Sequence, residues 1–181
     1  VTPPITFYDG KIIEKKKKYI VVGAPFEFNK KGDFLLDCLA GTEIKVKLIG
    51  DGSMRAKLQK KYAKYPNIKF LENVSDKEKF EQFAHAACFV VPGVEDFGIF
   101  PLEAMSAGCP VLAYKGGGIL ENLKEGVNGY LFDRWEKDIF LKQLKKVFNT
   151  NWDYEEISRS VRKTNNTEEI FRKRIEDIIT F

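Results

Sequence analysis

Two carboxylates, Glu95 and Glu103, bracket a glycine and a proline in the stretch Pro92–Met105, PGVEDFGIFPLEAM. Pro101 suits the first turn of a helix, where its missing N–H leaves nothing unpaired. Gly98 lets the backbone come close to a ligand, and the amides of Ile99 and Phe100 fall where a helix start leaves N–H groups free. Such a turn attracts anions, phosphate above all. A carboxylate can accept hydrogen bonds from two neighbouring hydroxyls. One acid on each side of a diphosphate therefore suits a nucleotide-sugar, one for the sugar and one for the ribose. On spacing alone a plainer reading stands beside it, with Glu103 complementing the helix dipole and Glu95 a surface acid.

To meet a ligand together, these residues must stand at the carboxyl ends of parallel strands. Six short runs rich in β-branched and aromatic residues read as strands: 19–23 (YIVVG), 43–50 (EIKVKLIG), 68–71 (IKFL), 88–91 (CFVV), 111–114 (VLAY) and 129–132 (GYLF). Helical stretches lie between them. Phe80, Phe83, Ala84 and Ala87 share one face, as do Met54, Leu58 and Tyr62. Ser75 and Glu78 form a possible capping box, and further helices follow Lys31, Pro101, Gly118 and Trp135. Tyr154, Ile157 and Val161, then Phe171, Ile175 and Ile178, give two closing helices. The alternation predicts an α/β fold, a Rossmann-like open parallel sheet of about six strands with helices on both faces.

Composition bounds the function. The 181 residues carry 30 Lys+Arg against 26 Asp+Glu, a formal charge of +4 that does not by itself argue for nucleic acid. With 44% hydrophobic and 13% aromatic residues the chain is globular, and no apolar run is long enough to span a bilayer. Cys38, Cys88 and Cys109 read as reduced core thiols of an intracellular protein, and a single histidine, His85, excludes a multi-histidine metal site. The opening Val-Thr-Pro-Pro-Ile, without methionine, reads as a linker cut from a longer chain.

The segment EDFGIFPLEAMSAGCPVLAYKGGGILE resembles the donor-site signature of retaining glycosyltransferases of the GT-B fold, family 4. Their pattern is E-x-F-G-x-x-x-x-E-A-M-A-x-G-x-P-V followed by G-G-x-x-E, and only Ser106 departs from a fixed position. LIGDGSMRAKL and NIKFLENVSDKEKFEQFAHAACFVVPG resemble the segments that precede the signature in that family. The resemblance implies the C-terminal half of a GT-B fold. Residues 1–18 are then an interdomain lead-in, 19–149 the nucleotide-sugar domain, and 150–181 helices that close it or pack on an N-terminal domain. The implied reaction transfers a hexosyl group, with retention, from a nucleoside-diphosphate sugar to an acceptor hydroxyl. No metal or other cofactor is implied, and no Asp-x-Asp motif is present. The acceptor would be held by an N-terminal domain absent from this chain, so the chain alone is expected to transfer nothing. A cytoplasmic location is implied, and the +4 charge permits a position at a membrane surface.

The resemblance also implies roles residue by residue. Glu95 binds hydroxyls of the donor sugar, with the backbone of Phe97 and Gly98 nearby. The Ile99 and Phe100 amides hold the diphosphate and Glu103 the ribose. Gly23 ends the first strand, and Gly52 and Val74 border the nucleotide. In the loop after Gly23 the family places an arginine, then a lysine. Both Lys30, by spacing, and Lys31, by its place before Gly32, fit the lysine, and the Lys-Gly pair favours Lys31. Ala24 stands where the arginine belongs, which removes a charge-assisted contact of about 1.5–3 kcal/mol. Arg55 or the second lysine are candidate replacements.

Ala24 also keeps open a different class of function, a non-catalytic GT-B-like nucleotide-binding or regulatory module. Other sites have simpler readings beside the functional one. Asp51-Gly52-Ser53 makes a turn and helix cap, and Val74 and Ser75 precede the next helix. Gly116-Gly117-Gly118 gives a tight turn near the sugar, Glu121 is a helix carboxylate, and His85 is structural. Lys15–Lys18 is a solvated lead-in or a contact for anionic lipid or an acidic partner. A dinucleotide oxidoreductase is disfavoured because no glycine fingerprint follows the first strand.

Overall fold

A computed structural model describes residues 4–23, 25–162 and 168–179. Ala24, Val1–Pro3 of the lead-in and the Phe171 and Ile178 side chains, all used in the sequence reading, lie outside the described part. The strands are β1 (Lys17–Gly23), β2 (Lys45–Ile49), β3 (Ile68–Phe70), β4 (Ala86–Val91), β5 (Val111–Tyr114) and β6 (Gly129–Phe132). The helices are α1 (Gly32–Leu39), α2 (Arg55–Tyr62), α3 (Asp76–His85), α4 (Ile99–Ser106), α5 (Ile119–Asn122), α6 (Lys137–Asn149), α7 (Tyr154–Arg162) and α8 (Glu168–Ile179). The strands form one parallel sheet in the order β3-β2-β1-β4-β5-β6.

From Tyr19 onward in β1, and along β4, the central strands are apolar because both of their faces are covered. Ile20, Val21 and Val22 of β1 and Cys88, Phe89 and Val90 of β4 are all buried. On one face Phe34 of α1 packs against Phe132 of β6 and Phe140 of α6. On the other, Phe83 of α3 meets Phe89 edge-on at 5.3 Å and reaches Phe100 of α4. β1 starts at Lys17, two residues before the apolar run, since Lys17 pairs with Ala86.

Local signals set the helix ends. Ser75 Oγ accepts from the Glu78 amide while the Glu78 carboxylate accepts from the Ser75 amide, the predicted capping box. The lead-in is tied down as well. Ile5 is buried, the Tyr8 N–H donates to Ser106 Oγ at 2.9 Å, and the Tyr8 ring lies 5.8 Å from Phe80. Ser158 Oγ of α7 donates to Ser106 O at 2.7 Å, so lead-in and closing helix clasp the end of α4. Among the described residues no helix is long and apolar enough to cross a membrane.

Candidate functional site

The strand order reverses between β1 and β4, and the loops leaving their carboxyl ends frame the crevice. β1 ends at Gly23, where a Cβ would press on the Phe89 and Phe100 rings at 3.0 and 3.2 Å. The chain then makes a 3-10 turn, Phe28–Lys30, and Lys31 takes a left-handed conformation at φ 55° before α1. That residue fixes where the two lysines point. Lys30 Nζ donates to Val94 O at 2.9 Å and lies 3.4 Å from Glu95 Oε2 and 3.3 Å from Asp96 Oδ2. Lys31 Nζ instead lies over the Phe28 and Trp135 rings, 5.4 and 5.0 Å from their centroids. The structure brings Lys30, and not Lys31, to Glu95.

Glycines seat the Glu95 loop. A Cβ on Gly93 would fall 2.6 Å from Lys30 Cα, so the β4 loop lies directly on the 3-10 turn. The Gly118 N–H donates to Glu95 O at 2.7 Å, and a Cβ on Gly117, at φ 72°, would stand 2.2 Å from that oxygen. The glycine run, read as a tight turn near the sugar, also braces the backbone of Glu95. Gly52 has a similar part. Its φ is 145° and a Cβ would meet the Phe26 backbone nitrogen at 2.6 Å, where the Phe26 N–H donates to Asp51 O. It joins two loops, and the groove described next is lined by its neighbours Gly50 and Asp51.

α4 opens after Gly98, at φ 75°. The Leu102 N–H donates to Gly98 O at 3.0 Å. The Ile99 and Phe100 amides precede that first turn and have no carbonyl behind them in the helix. Phe97 is exposed beside them. A groove of about 500 Å³ runs from the ends of β2 and β3 to Phe100 and includes Val74, Arg55 and Lys79 in its walls. The Arg55 guanidinium is held by Gly50 O and by Leu71 O at 2.9 Å, at the β2 and β3 ends and away from the Lys30 crevice.

Glu103 lies behind this groove with only 4% of its surface exposed. Its Oε2 is 2.9 Å from Lys79 Nζ, a charge contact without hydrogen-bond alignment, and Lys79 also stands 3.0 Å from Asp76 Oδ1. Burial pushes the Glu103 carboxyl upward, and Lys79 pulls it back only in part. Burial by itself would lower the Lys79 ammonium, but Glu103 and Asp76 outweigh it and hold it raised. Lys79 was missed in the sequence because it sits on a charged stretch of α3 that reads as solvent-facing. Its only signal there is Asp76 three residues earlier.

The remaining candidates lie apart. Glu121 is exposed, and the His85 ring contacts its own helix at Glu81 O. Lys16 of the lysine run donates to Ala84 O at 2.7 Å and lies over Tyr154, beside a second groove of about 540 Å³ at the opposite ends of the strands. Among the described residues no group of three or more His, Cys, Asp or Glu could hold a metal ion.

Sheet order and crevice define a doubly wound, Rossmann-like domain with an anion-ready helix start at the reversal point. The chain belongs to the glycosyl transferases group 1 family, whose model matches residues 6–164. It is 36% identical over 91 residues to alpha-1,3/1,6-mannosyltransferase ALG2 of Dictyostelium discoideum, covering 50% of this chain and 21% of that protein. It is 30% identical over 125 residues to the sulfoquinovosyl transferase SQD2 of Arabidopsis thaliana, covering 67% of this chain and 24% of that protein. The chain thus spans about a quarter or less of these two relatives' length. Anabaena Alr3699/HepE, solved in complex with UDP and glucose, shares the fold with a TM-score of 0.71 at 18% identity, covering 92% of this chain and 49% of that one.

Proposed function

We propose that the chain is the donor-binding half of a retaining glycosyltransferase that takes a hexosyl group from a nucleoside-diphosphate sugar. The observation that carries this reading is the meeting of Lys30 and Glu95 at the β1/β4 reversal, beside the free amides of α4. The Ile99 and Phe100 amides and the Lys30 ammonium face the position where a departing diphosphate gathers negative charge. Donors fixed in advance there cost no reorganisation during the reaction. Glu95 takes sugar hydroxyls, and the nucleoside lies in the groove past Phe100 and Val74, with Glu103 behind it on the ribose side. Lys31, over Phe28 and Trp135, borders the mouth of the crevice. Transfer to an acceptor hydroxyl is proposed for the full-length protein, in company with an N-terminal acceptor domain, and the site as read calls for no metal.

The solved relative bound to UDP and glucose supports the ligand class, and the mannosyl and sulfoquinovosyl relatives support a sugar donor. Calorimetry with UDP, GDP, UDP-glucose and GDP-mannose tests the reading. One nucleotide should bind together with its sugar conjugate. Glu95→Ala should weaken the conjugate by about 1–3 kcal/mol while leaving the bare nucleotide unchanged. Equal weakening of both would remove Glu95 from the sugar, and absence of binding at millimolar ligand would contradict a donor site in this chain.

A further inference from the structure

The strands away from the crevice carry lysines that the donor site does not use. In register, Tyr19 of β1 stands beside Lys45, and Lys47 of β2 beside Lys69 of β3. Residues two apart on a strand, and partners across parallel strands, share a face, so Lys45, Lys47 and Lys69 lie on one side of the sheet. Lys47 shows that this is the α3 side. Its Nζ donates to Gln82 Oε1 at 2.5 Å and lies 3.9 Å from the Tyr19 ring centroid. α3 itself packs on β1 and β4, and Lys17, Lys45 and Lys69 stay exposed.

Like charges side by side on neighbouring strands repel. Burial lowers the Lys47 ammonium, and Lys17 and Lys69 lower it further. Among the described residues none of these four lysines stands in an ion pair. A lysine on an edge strand guards it against pairing with another chain. That accounts for Lys69 but not for Lys45 and Lys47, one strand further in. At Lys17 the basic bed meets the groove of about 540 Å³, which Lys15, Lys16 and Lys18 also line. Its other walls are mostly apolar, with Ile44, Val147, Trp152 and the 42% exposed Phe148, and its acids are Glu14 and Glu43.

We propose that this lysine bed, with the apolar groove beside it, docks the domain on an anionic phospholipid surface. Cations spread over three strands meet many headgroups at once, whereas a phosphate cradle converges on one point. An apolar groove beside them suits an acyl chain and offers a soluble polyanion nothing. The bed lies at the amino ends of the strands, roughly 20 Å along β1 from the crevice, so a docked chain keeps the crevice open. The docking stands whether or not the crevice takes a nucleotide-sugar.

The test is sedimentation at low salt with vesicles of phosphatidylcholine alone, or of equal parts phosphatidylcholine and phosphatidylserine. The chain should sediment with the mixed vesicles only. Each lysine at such a surface is worth about fivefold in binding, so Lys45→Glu/Lys69→Glu should weaken it by about twentyfold or more. Lys57→Glu/Lys60→Glu makes the same change of charge at exposed positions of α2, outside the bed, and should weaken it far less. Both double variants should keep a native thermal melt. Equal losses in the two would overturn the proposal, because net charge alone would then bind. Equal sedimentation with both vesicles, or none with either, would overturn it too. Heparin held through Lys45 and Lys69 by a chain that ignores both vesicles would assign the bed to a soluble polyanion instead. Phe148→Ser should also weaken vesicle binding, and an unchanged affinity would overturn the contact at the groove.

Discussion

The site contains two clusters of the same composition, each a lysine between a glutamate and an aspartate. Lys30 with Glu95 and Asp96 is assembled by two loops, at 3.4 and 3.3 Å, with Asp96 mostly in water. Lys79 with Glu103 and Asp76 is assembled by two helices, at 2.9 and 3.0 Å, with lysine and glutamate both buried. The first has loose contacts and an open carboxylate, as suits groups that must exchange partners with a ligand. The second is tight and closed, as suits a fixed feature of the groove wall. The two lysines are equally buried and Asp76 is no less exposed than Asp96, so the difference lies in the glutamate, 19% open at Glu95 and 6% at Glu103.

The largest separation of the two should come from deleting each lysine. Lys79→Met strands a buried carboxylate and should cost about 3–5 kcal/mol of unfolding free energy in urea. Lys30→Met leaves Glu95 within reach of water and should cost about 1.5 kcal/mol, chiefly the charged hydrogen bond to Val94 O. Equal losses would erase the distinction. Next, Gly117→Ala should cost about 2 kcal/mol, through its left-handed backbone and its closeness to Glu95 O, and should weaken the sugar conjugate more than the bare nucleotide.

A smaller effect is expected in the pH dependence of stability. Burial raises the Glu103 carboxyl above its ordinary value of 4.5, so the folded state holds that proton more tightly than the unfolded chain does. The stability this adds is fully present below 4.5 and is lost as pH rises through the raised folded value. Relative to Glu103→Gln, the wild type should therefore become less stable across that window, by at most about 1.4 kcal/mol per pH unit. A flat difference between the two urea midpoints would mean that Glu103 is not desolvated.

Much of this was legible in the sequence. The strands stood out because a parallel sheet covered on both faces needs continuous apolar runs, and the glycine and proline around α4 marked its start. What stayed hidden depends on long-range contacts. Lys30 and Lys31 cannot be told apart locally, since their directions follow from one left-handed residue and from Trp135, over a hundred residues away. Lys79 looks like any surface lysine until α3 packs on α4. Gly117 and Gly118 announce a turn, but nothing near them in sequence says that Glu95 and Asp96 lie against it.

The most direct measurement is amide NMR of the isotope-labelled chain during titration with UDP and then GDP. The largest shifts should fall at Val74, Lys79, Ile99 and Phe100, with Glu95 joining only when a sugar is attached to the nucleotide. Shifts gathered instead around Lys16 and Trp152, in the groove at the opposite end of the strands, would contradict it.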